Sequence, residues 1–247
     1  EDVVVIFCGY MFGTWAFQPM INEMPECRIF VFENIGAKSK IAAGGSYLSA
    51  IEDIINVLLS FGIKKFHLIG HSMGGFVAQE FIEVVPQSVC SLVLMGACSI
   101  KEFKQSHRVE AIPSLDPLFN LDQNSFFHFT TLNIFSSELL RNPLRKKKLQ
   151  IDFSQNIPQR EKCREQLKML IGLYSKIQIF ETNHIKCLAY YGAEDTIVPP
   201  SWIRKLEEIY SNIEFLEINS SHMFMYEKPI ETSNALKKWI EQPLDLL

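Results

Sequence analysis

Apolar residues along the chain fall into two patterns: short unbroken runs, and longer segments with apolar positions three and four residues apart. The short runs are rich in β-branched and aromatic residues and predict buried strands. The segment Tyr47 to Phe61 has Ile51, Ile54 and Leu58 at helical spacing and ends at Gly62, as an amphipathic helix does. Because strands that alternate with helices form a mostly parallel sheet with helices on both faces, we predict an α/β fold. The predicted strands are Val3 to Phe7, Arg28 to Phe32, Phe66 to Ile69, Ser91 to Met95, Cys187 to Tyr191 and Ile213 to Ile218.

The alternation stops after Cys98 and resumes at Lys186. Between them, no run typical of a buried strand recurs, and helical apolar spacing is mixed with polar stretches. We therefore expect residues 1–98 and 186–247 to form the α/β core, and residues 99–185 to form an inserted helical segment, called the cap below. A chain of 247 residues with 47% hydrophobic content is long enough for one such domain.

A Gly-x-Ser-x-Gly motif joins the third predicted strand to the helix that follows it. Its residues are Gly70-His71-Ser72-Met73-Gly74, with a further glycine at position 75. Glycine two positions before and after the serine permits the sharp, strained turn of a nucleophile elbow. A chance match is the alternative for any short motif. The strand before the motif and the helix after it argue against chance, so Ser72 is the predicted nucleophile.

A serine nucleophile needs a general base and an acid that orients the base. Of the six histidines, only His222 follows the last predicted strand, in a loop at the sheet edge where catalytic groups of parallel sheets collect. Asp195 follows the preceding strand and is expected at the same edge, with its neighbour Glu194 as the competing acid. An ordinary turn-forming role before Pro199 is the alternative for Asp195. We predict the triad Ser72, Asp195 and His222.

An acyl-transfer site also needs backbone donors for the oxyanion of the tetrahedral intermediate. The N–H of Met73, at the start of the helix after the elbow, is one predicted donor. The turn Cys8-Gly9-Tyr10 follows the first strand, and we predict the N–H of Tyr10 as the second donor.

Together these motifs resemble those of the alpha/beta-hydrolase superfamily over essentially the whole chain. The resemblance rests on the elbow, on Gly-x-x-Asp-x-x-Val-Pro at residues 192–199, and on Ser-His-Met followed by Glu-Lys-Pro within residues 221–229. Within the superfamily, the chain looks most like bacterial carboxylesterases that cleave the methyl ester of pimeloyl-acyl carrier protein in biotin synthesis. Two departures are Cys8, where histidine is usual, and Glu33-Asn34-Ile35-Gly36, where Asp-x-x-Gly is usual.

The resemblance implies a serine ester hydrolase that needs no metal and no organic cofactor. A general carboxylesterase or thioesterase for free small acyl esters, or a carbon–carbon bond hydrolase, would use the same triad. A binding protein that retains the fold without turnover is an alternative of another class. The intact set Ser72, Asp195 and His222 argues against a mere binder.

Charge is distributed unevenly along the chain. Residues 101–186 carry 14 Lys and Arg against 9 Asp and Glu, whereas the rest carries 10 against 19. This asymmetry favours an acidic partner near the cap. Motifs of the usual nucleic-acid modules, which combine aromatic and basic residues, are absent, so no nucleic-acid partner is predicted.

The resemblance implies that paired cap arginines hold the acidic helix of an acyl carrier protein. Arg141 and Arg145 are four residues apart, as are Arg160 and Arg164, so each pair would share a helix face if the segment is helical. A solvated helix face is the alternative. We also predict an acyl channel lined by apolar cap residues, although cap packing explains them equally well. The channel candidates are Phe127 with Phe119, Phe126, Phe129 and Phe135.

The cysteines and the apolar stretches indicate the environment in which the protein is expected. Six cysteines lack metal-ligand spacing, and several lie within apolar runs, which favours reduced packing residues and a cytoplasmic location. The apolar stretch from Val3 to Phe17 contains glycine and threonine and is shorter than the ~20 residues of a spanning helix, so no membrane span is predicted. A monomer is expected.

Overall fold

The strands of the protein form one parallel sheet. The computed structural model describes residues 2–33, 47–105, 117–118, 120–157, 159, 161–166 and 185–242. Within these residues six strands pair in the order β2-β1-β3-β4-β5-β6, and every pairing is parallel. The predicted α/β fold is confirmed. The strands are β1 Val3–Phe7, β2 Arg28–Phe32, β3 Phe66–His71, β4 Val89–Met95, β5 Lys186–Gly192 and β6 Ile213–Ile218.

Helices connect the strands and cover the sheet. The helix predicted from Tyr47 to Phe61 and the one predicted after the elbow are both observed, and after β5 a short α-helix is followed by a 3-10 turn at Lys205–Glu208. The α-helices are α1 Thr14–Ile21, α2 Tyr47–Ser60, α3 Met73–Val84, α4 Ile100–Gln105, α5 Gln123–Ile134, α6 Ser137–Arg141, α7 Pro143–Gln155, α8 Pro200–Arg204, α9 Phe224–Glu227 and α10 Pro229–Glu241.

Two hydrophobic clusters lie on opposite faces of the sheet because successive strand residues point to opposite sides. In β1, Val5 and Phe7 pack in the cluster that includes residues of α2 and α3. Val4 and Ile6 pack in the other cluster, with residues of α1, α10 and the cap helices α5 to α7. The cap helices therefore share a core with one face of the sheet, directly beside its C-terminal edge.

Between β4 and β5, the described residues form helices and no strand. α6 and α7 are separate helices, because Asn142 ends α6 and its side chain accepts the N–H groups of Leu144 and Arg145 at the start of α7. Pro143 is the first residue of α7 and carries no N–H to continue the preceding helix. Arg141 and Arg145 therefore do not share one helix, which corrects the expectation from their spacing. The boundaries of the cap at 99 and 185 stay a prediction.

No described helix combines the length and apolar character needed to cross a membrane. All six cysteines fall in the described residues, and none is bonded to another. Burial raises the pKa of the Cys163 thiol to about 12, which keeps this cysteine protonated.

Candidate active site

Ser72 lies on the turn between β3 and α3, in a conformation that most residues avoid. Its φ is 52° and ψ is −120°, and its N–H donates to the Met95 carbonyl at 2.9 Å. The flanking glycines permit close backbone contacts: a Cβ on Gly74 would lie 2.1 Å from the Phe7 oxygen, and one on Gly70 would lie 2.6 Å from the Gly74 oxygen. The backbone therefore forms the strained turn predicted from the motif, and Ser72 is held at the C-terminal edge of β3.

His222 and Asp195 meet at the same edge. His222 Nδ1 lies 2.6 Å from Asp195 Oδ2, and the two residues are only 4% and 3% exposed. Asp195 Oδ1 accepts the N–H groups of Ile197 and Val198, each at 2.9 Å. Glu194 is exposed, so its carboxylate faces solvent. Of the two candidate acids, the structure brings only Asp195 to the histidine.

A mostly apolar cavity of about 360 Å³ opens at this edge. Ser72 and His222 contribute to its wall, together with Tyr10 from the loop after β1. Among the described lining residues, none is Lys, Arg, Asp or Glu, so the cavity offers little to a charged group. The lining residues are Tyr10, Met11, Phe12, His71, Ser72, Leu118, Phe126, Phe129, Thr130, Asn133, Ile134, Ile197 and His222.

His71, the residue before Ser72 in the motif, also belongs to the site. Its ring centroid is 4.8 Å from that of His222, and its Nε2 lies 3.2 Å from the His222 carbonyl oxygen. Burial, followed by the nearby His222 ring, holds the pKa of His71 well below its usual value. A neutral His71 whose Nε2 carries the proton donates to that carbonyl and steadies the loop of His222.

The loop after β1 brings Tyr10 to the wall of the cavity. Met11 has a φ of 65°, in the left-handed region, and its N–H donates to the Oε1 of Gln166 at 3.3 Å. At the far end of the loop, the Thr14 N–H donates to the Glu33 carboxylate at 3.0 Å. Met73, the other predicted oxyanion donor, is the first residue of α3, directly after Ser72. Tyr10 lines the same cavity as Ser72, and Met73 follows Ser72 in the chain; the role of their N–H groups as oxyanion donors stays a prediction.

Cys8 lies at the end of β1, where it replaces the histidine usual in the resembling enzymes. The side chain is buried, and burial raises the pKa of its thiol well above the usual value, with the Glu33 carboxylate adding to the shift. Cys8 is therefore a neutral packing residue beneath the loop of Tyr10.

The loop that carries His222 is bonded to the cap helices. The Met223 N–H donates to the Ile134 carbonyl at 3.2 Å, and the Tyr226 hydroxyl donates to Asp152 at 2.6 Å. The Glu227 carboxylate accepts both the N–H and the hydroxyl of Ser136, the residue that caps α6. One wall of the cavity and the histidine loop are thus parts of one hydrogen-bonded unit. Glu227 belongs to the Glu-Lys-Pro motif, but the spacing of that motif does not predict the contact between Glu227 and Ser136.

The predicted cap arginines have different surroundings. Arg145 donates to the Glu227 carbonyl at 2.7 Å and lies 3.5 Å from the Glu138 carboxylate, so it is engaged within the molecule. Arg141 is exposed at the end of α6, and Arg164 is half-buried. Arg160 lies outside the described residues. Arg145 is thus bonded within the molecule, whereas Arg141 is exposed. A docking function of the cap arginines stays a prediction.

The predicted acyl-channel residues also differ in their surroundings. Phe126 and Phe129 line the cavity, whereas Phe127 does not. The Phe127 ring packs 5.4 Å from that of Phe153, inside the core shared by α5 and α7. Consecutive helix residues point about 100° apart, so these neighbours cannot all face one cavity. Phe119 lies outside the described residues.

The described residues hold no cluster of three or more His, Cys, Asp or Glu side chains arranged to bind a metal ion. The titratable side chains that line the cavity are His71, His222 and Tyr10. The chemistry that these groups support is proton transfer to and from a serine hydroxyl.

The family of the protein follows from fold, elbow and sequence together. The sequence model for the alpha/beta hydrolase fold family matches residues 2–229, and the chain belongs to that family. Among solved structures, a thermophilic esterase from Thermogutta terrifontis superposes with a TM-score of 0.75 at 18% identity, over 97% of this chain and 89% of that one. This likeness shows the fold alone.

The curated relatives are similar to this chain over only part of their own length. The chain is 24% identical over 176 residues to the dihydrolipoyllysine-residue acetyltransferase component of the acetoin cleaving system of Pseudomonas putida, which covers 69% of this chain and 45% of that protein. It is 26% identical over 195 residues to the monoacylglycerol lipase ABHD6 of Bos taurus, which covers 72% of this chain and 55% of the lipase. The chain thus spans about half the length of these relatives.

Proposed function

We propose that this protein is a serine hydrolase that cleaves carboxylic esters. The observation that carries the proposal is that Ser72 and His222 line one cavity while His222 is hydrogen-bonded to a buried Asp195. The strained turn at Ser72 matches the nucleophile elbow of such enzymes. The similarity to a monoacylglycerol lipase, which acts on an ester, supports the same class of reaction.

In the proposed mechanism the Ser72 hydroxyl attacks the ester carbonyl carbon while His222 Nε2 takes its proton. Asp195 accepts the Nδ1–H of His222, which fixes the tautomer and stabilises the imidazolium. The N–H groups of Met73 and Tyr10 bind the oxyanion of the tetrahedral intermediate. The intermediate then expels the alcohol, which takes the proton from His222. Water, activated by the same histidine, hydrolyses the acyl-enzyme and restores Ser72.

The cavity favours an apolar, uncharged acyl group. Its described wall is formed largely by aromatic and aliphatic side chains and contains no basic residue to hold a carboxylate. A methylene chain such as that of a pimeloyl methyl ester suits this wall. We keep as the narrower proposal that the ester is carried by an acyl carrier protein, supported by the excess of basic residues in the cap.

Replacing the nucleophile tests the proposed class of reaction. We expect Ser72→Ala to lower kcat on p-nitrophenyl butyrate by at least roughly a thousandfold, since removal of a triad serine leaves only oxyanion and binding effects. The exposed Ser211 offers a matched control, Ser211→Ala, which should retain activity. A fluorophosphonate should label the parent and the control but not Ser72→Ala.

Undiminished turnover by Ser72→Ala would reject the proposal, and so would a parent that neither hydrolyses the ester nor reacts with fluorophosphonate. The second result would favour a binding protein with this fold. Thioesters and carbon–carbon substrates in the same assay separate the alternatives that share the triad.

A further inference from the structure

The oxyanion loop depends on a backbone conformation that its sequence disfavours. Met11 follows the predicted donor Tyr10 and has a φ of 65°, which a side chain with a Cβ rarely adopts. Glycine would accept this φ at little cost, but the chain has methionine there. Some contact must therefore hold Met11 in place, or the loop would relax and Tyr10 would leave its position at the cavity.

One such contact comes from the cap. The Oε1 of Gln166 accepts the Met11 N–H at 3.3 Å, across 155 positions of sequence. Gln166 is only 4% exposed, in the helical residues 161–166, although glutamine is ordinarily a surface residue. A buried amide is retained where its polar atoms have partners, and here one partner is the strained loop.

We propose that Gln166 is a positioning residue that holds the oxyanion loop in its active conformation. The inference rests on the proposed serine mechanism, in which the Tyr10 N–H binds the oxyanion. The bond from Gln166 occupies the Met11 N–H and fixes the peptide that follows Tyr10. The cap thereby acts on transition-state stabilisation as well as on the shape of the cavity. Gln166 does not line that cavity, so its effect reaches the reaction through Met11.

The substitution Gln166→Leu removes the acceptor with little change in volume. We expect kcat to fall roughly tenfold, less than the hundred- to thousandfold cost of deleting an oxyanion donor outright. KM should change little because the oxyanion forms only in the transition state. The affinity for a trifluoromethyl ketone, which adds to Ser72 as a tetrahedral adduct, should fall in parallel with kcat. The exposed Gln150 provides the matched control, Gln150→Leu.

A double-mutant cycle with Met11→Gly separates positioning from general support of the cap. Glycine adopts a positive φ without strain, so the loop should need Gln166 less. In the Met11→Gly background, Gln166→Leu should therefore lower kcat only about twofold rather than tenfold. Equal losses in both backgrounds would overturn the proposal, because a purely structural role of Gln166 is independent of residue 11.

Amide hydrogen exchange tests the contact without reference to catalysis. By NMR, the Met11 amide should exchange at least roughly tenfold faster in Gln166→Leu than in the parent, while amides of β3 keep their rates. An unchanged Met11 rate would overturn the proposal even if kcat falls. A parent that shows no ester hydrolysis would instead reject the proposed function, so the two failures are distinguishable.

Discussion

At the scale of single residues, the two oxygens of Asp195 have separate partners. Oδ1 accepts the N–H groups of Ile197 and Val198, which folds the loop after β5, whereas Oδ2 faces His222 Nδ1. An aspartate at this position thus forms its own turn and orients the base. The turn-forming role that competed with the catalytic role in the sequence is fulfilled by the same side chain.

This division predicts that Asp195→Asn uncouples the two roles. An amide can keep its oxygen toward Ile197 and Val198 and place its NH₂ group against His222 Nδ1. Nδ1 must then accept a hydrogen bond, so the imidazole proton lies on Nε2. A protonated Nε2 cannot take the proton of the serine. We expect kcat to fall roughly 10³- to 10⁴-fold with the free energy of unfolding nearly unchanged. Urea unfolding and ester kinetics measure both quantities.

The exposed neighbour supplies the control for this prediction. Glu194→Gln removes a carboxylate one residue away and should retain activity, because Glu194 faces solvent. If Asp195→Asn retains the parent kcat, or if Glu194→Gln loses it, the assignment of the acid is wrong.

Single residues also show where sequence reasoning succeeds and where it stops. The positions of Asp195 and His222 were predictable because both follow strands of a parallel sheet, whose C-terminal ends meet at one edge. The contact of His71 with the His222 loop was not predictable, because it depends on the rotation of a side chain at the end of β3. The bond between Met11 and Gln166 joins residues 155 positions apart, and no local pattern reports such a contact.

At the scale of elements, the short helix α9 connects the histidine loop to the cap. Its last residue, Glu227, is 4% exposed and accepts two hydrogen bonds from Ser136 at the start of α6. The Arg145 guanidinium donates to the Glu227 carbonyl at 2.7 Å, and Lys228 lies 3.1 Å from Glu138. A buried carboxyl therefore lies at the junction between the elements that bear His222 and those that shape the cavity.

Glu227 should make stability depend on pH in a direction unusual for a carboxylate. Burial raises its pKa above the usual 4.5, although the Ser136 bonds and then Arg145 oppose the shift. The folded protein thus binds this proton more tightly than the unfolded chain, and the resulting stabilisation is fully present below pH 4.5 and is lost as pH rises through the folded pKa. Glu227→Gln removes the titration.

We therefore expect the free energy of unfolding of the parent, relative to Glu227→Gln, to increase as pH falls from about 7.5 toward 5. Denaturant unfolding at several pH values measures this difference, with the exposed Glu231→Gln as the reference for loss of a surface carboxylate on α10. A relative stability of the parent that decreases on acidification would contradict the raised pKa.

Whether a segment forms a strand or a helix was more predictable than which elements it packs against. The six strands appear where they were predicted; for the central strands β1, β3, β4 and β5 the reason is that a strand buried on both faces has few alternatives to an unbroken apolar run. The break between α6 and α7 coincides with a helix-start signal, Asn142 followed by Pro143, which outweighs the four-residue spacing of the arginines. Helix periodicity identifies a buried face but not which neighbour covers it, so it left open whether Phe127 lines a channel or packs in the core, where the structure places it.

At the scale of the whole molecule, charge is segregated toward the cap. Residues 137–155, which span α6 and α7, contain five Lys and Arg against two acidic residues. Arg145 and Lys148 have acceptors within the molecule, the latter at Asp152. Arg141 and Lys147 are exposed on these same helices, which also pack against the loop of His222. We propose that this basic surface is where an acidic carrier docks.

Docking of this kind predicts that salt and charge affect a carrier-linked ester but not a free one. The parent should prefer the methyl ester of a pimeloyl-carrier protein over free dimethyl pimelate at low ionic strength. Arg141→Glu should lower kcat/KM for the carrier-linked ester roughly tenfold and leave the free ester unchanged. In about 0.5 M salt, where the screening length is a few ångströms, parent and variant should converge. Methanol release measures each reaction.

Lys64 provides the matched charge reversal for this experiment. It is exposed in the loop before β3, at the N-terminal edge of the sheet, whereas Ser72 lies at the C-terminal edge. A carrier protein held near the elbow cannot contact both edges, so Lys64→Glu should leave the preference for the carrier-linked ester intact. Equal ratios of carrier-linked to free turnover in the parent and in Arg141→Glu would mean that Arg141 takes no part in delivery. The ester would then reach Ser72 through the apolar cavity alone, as a free small molecule.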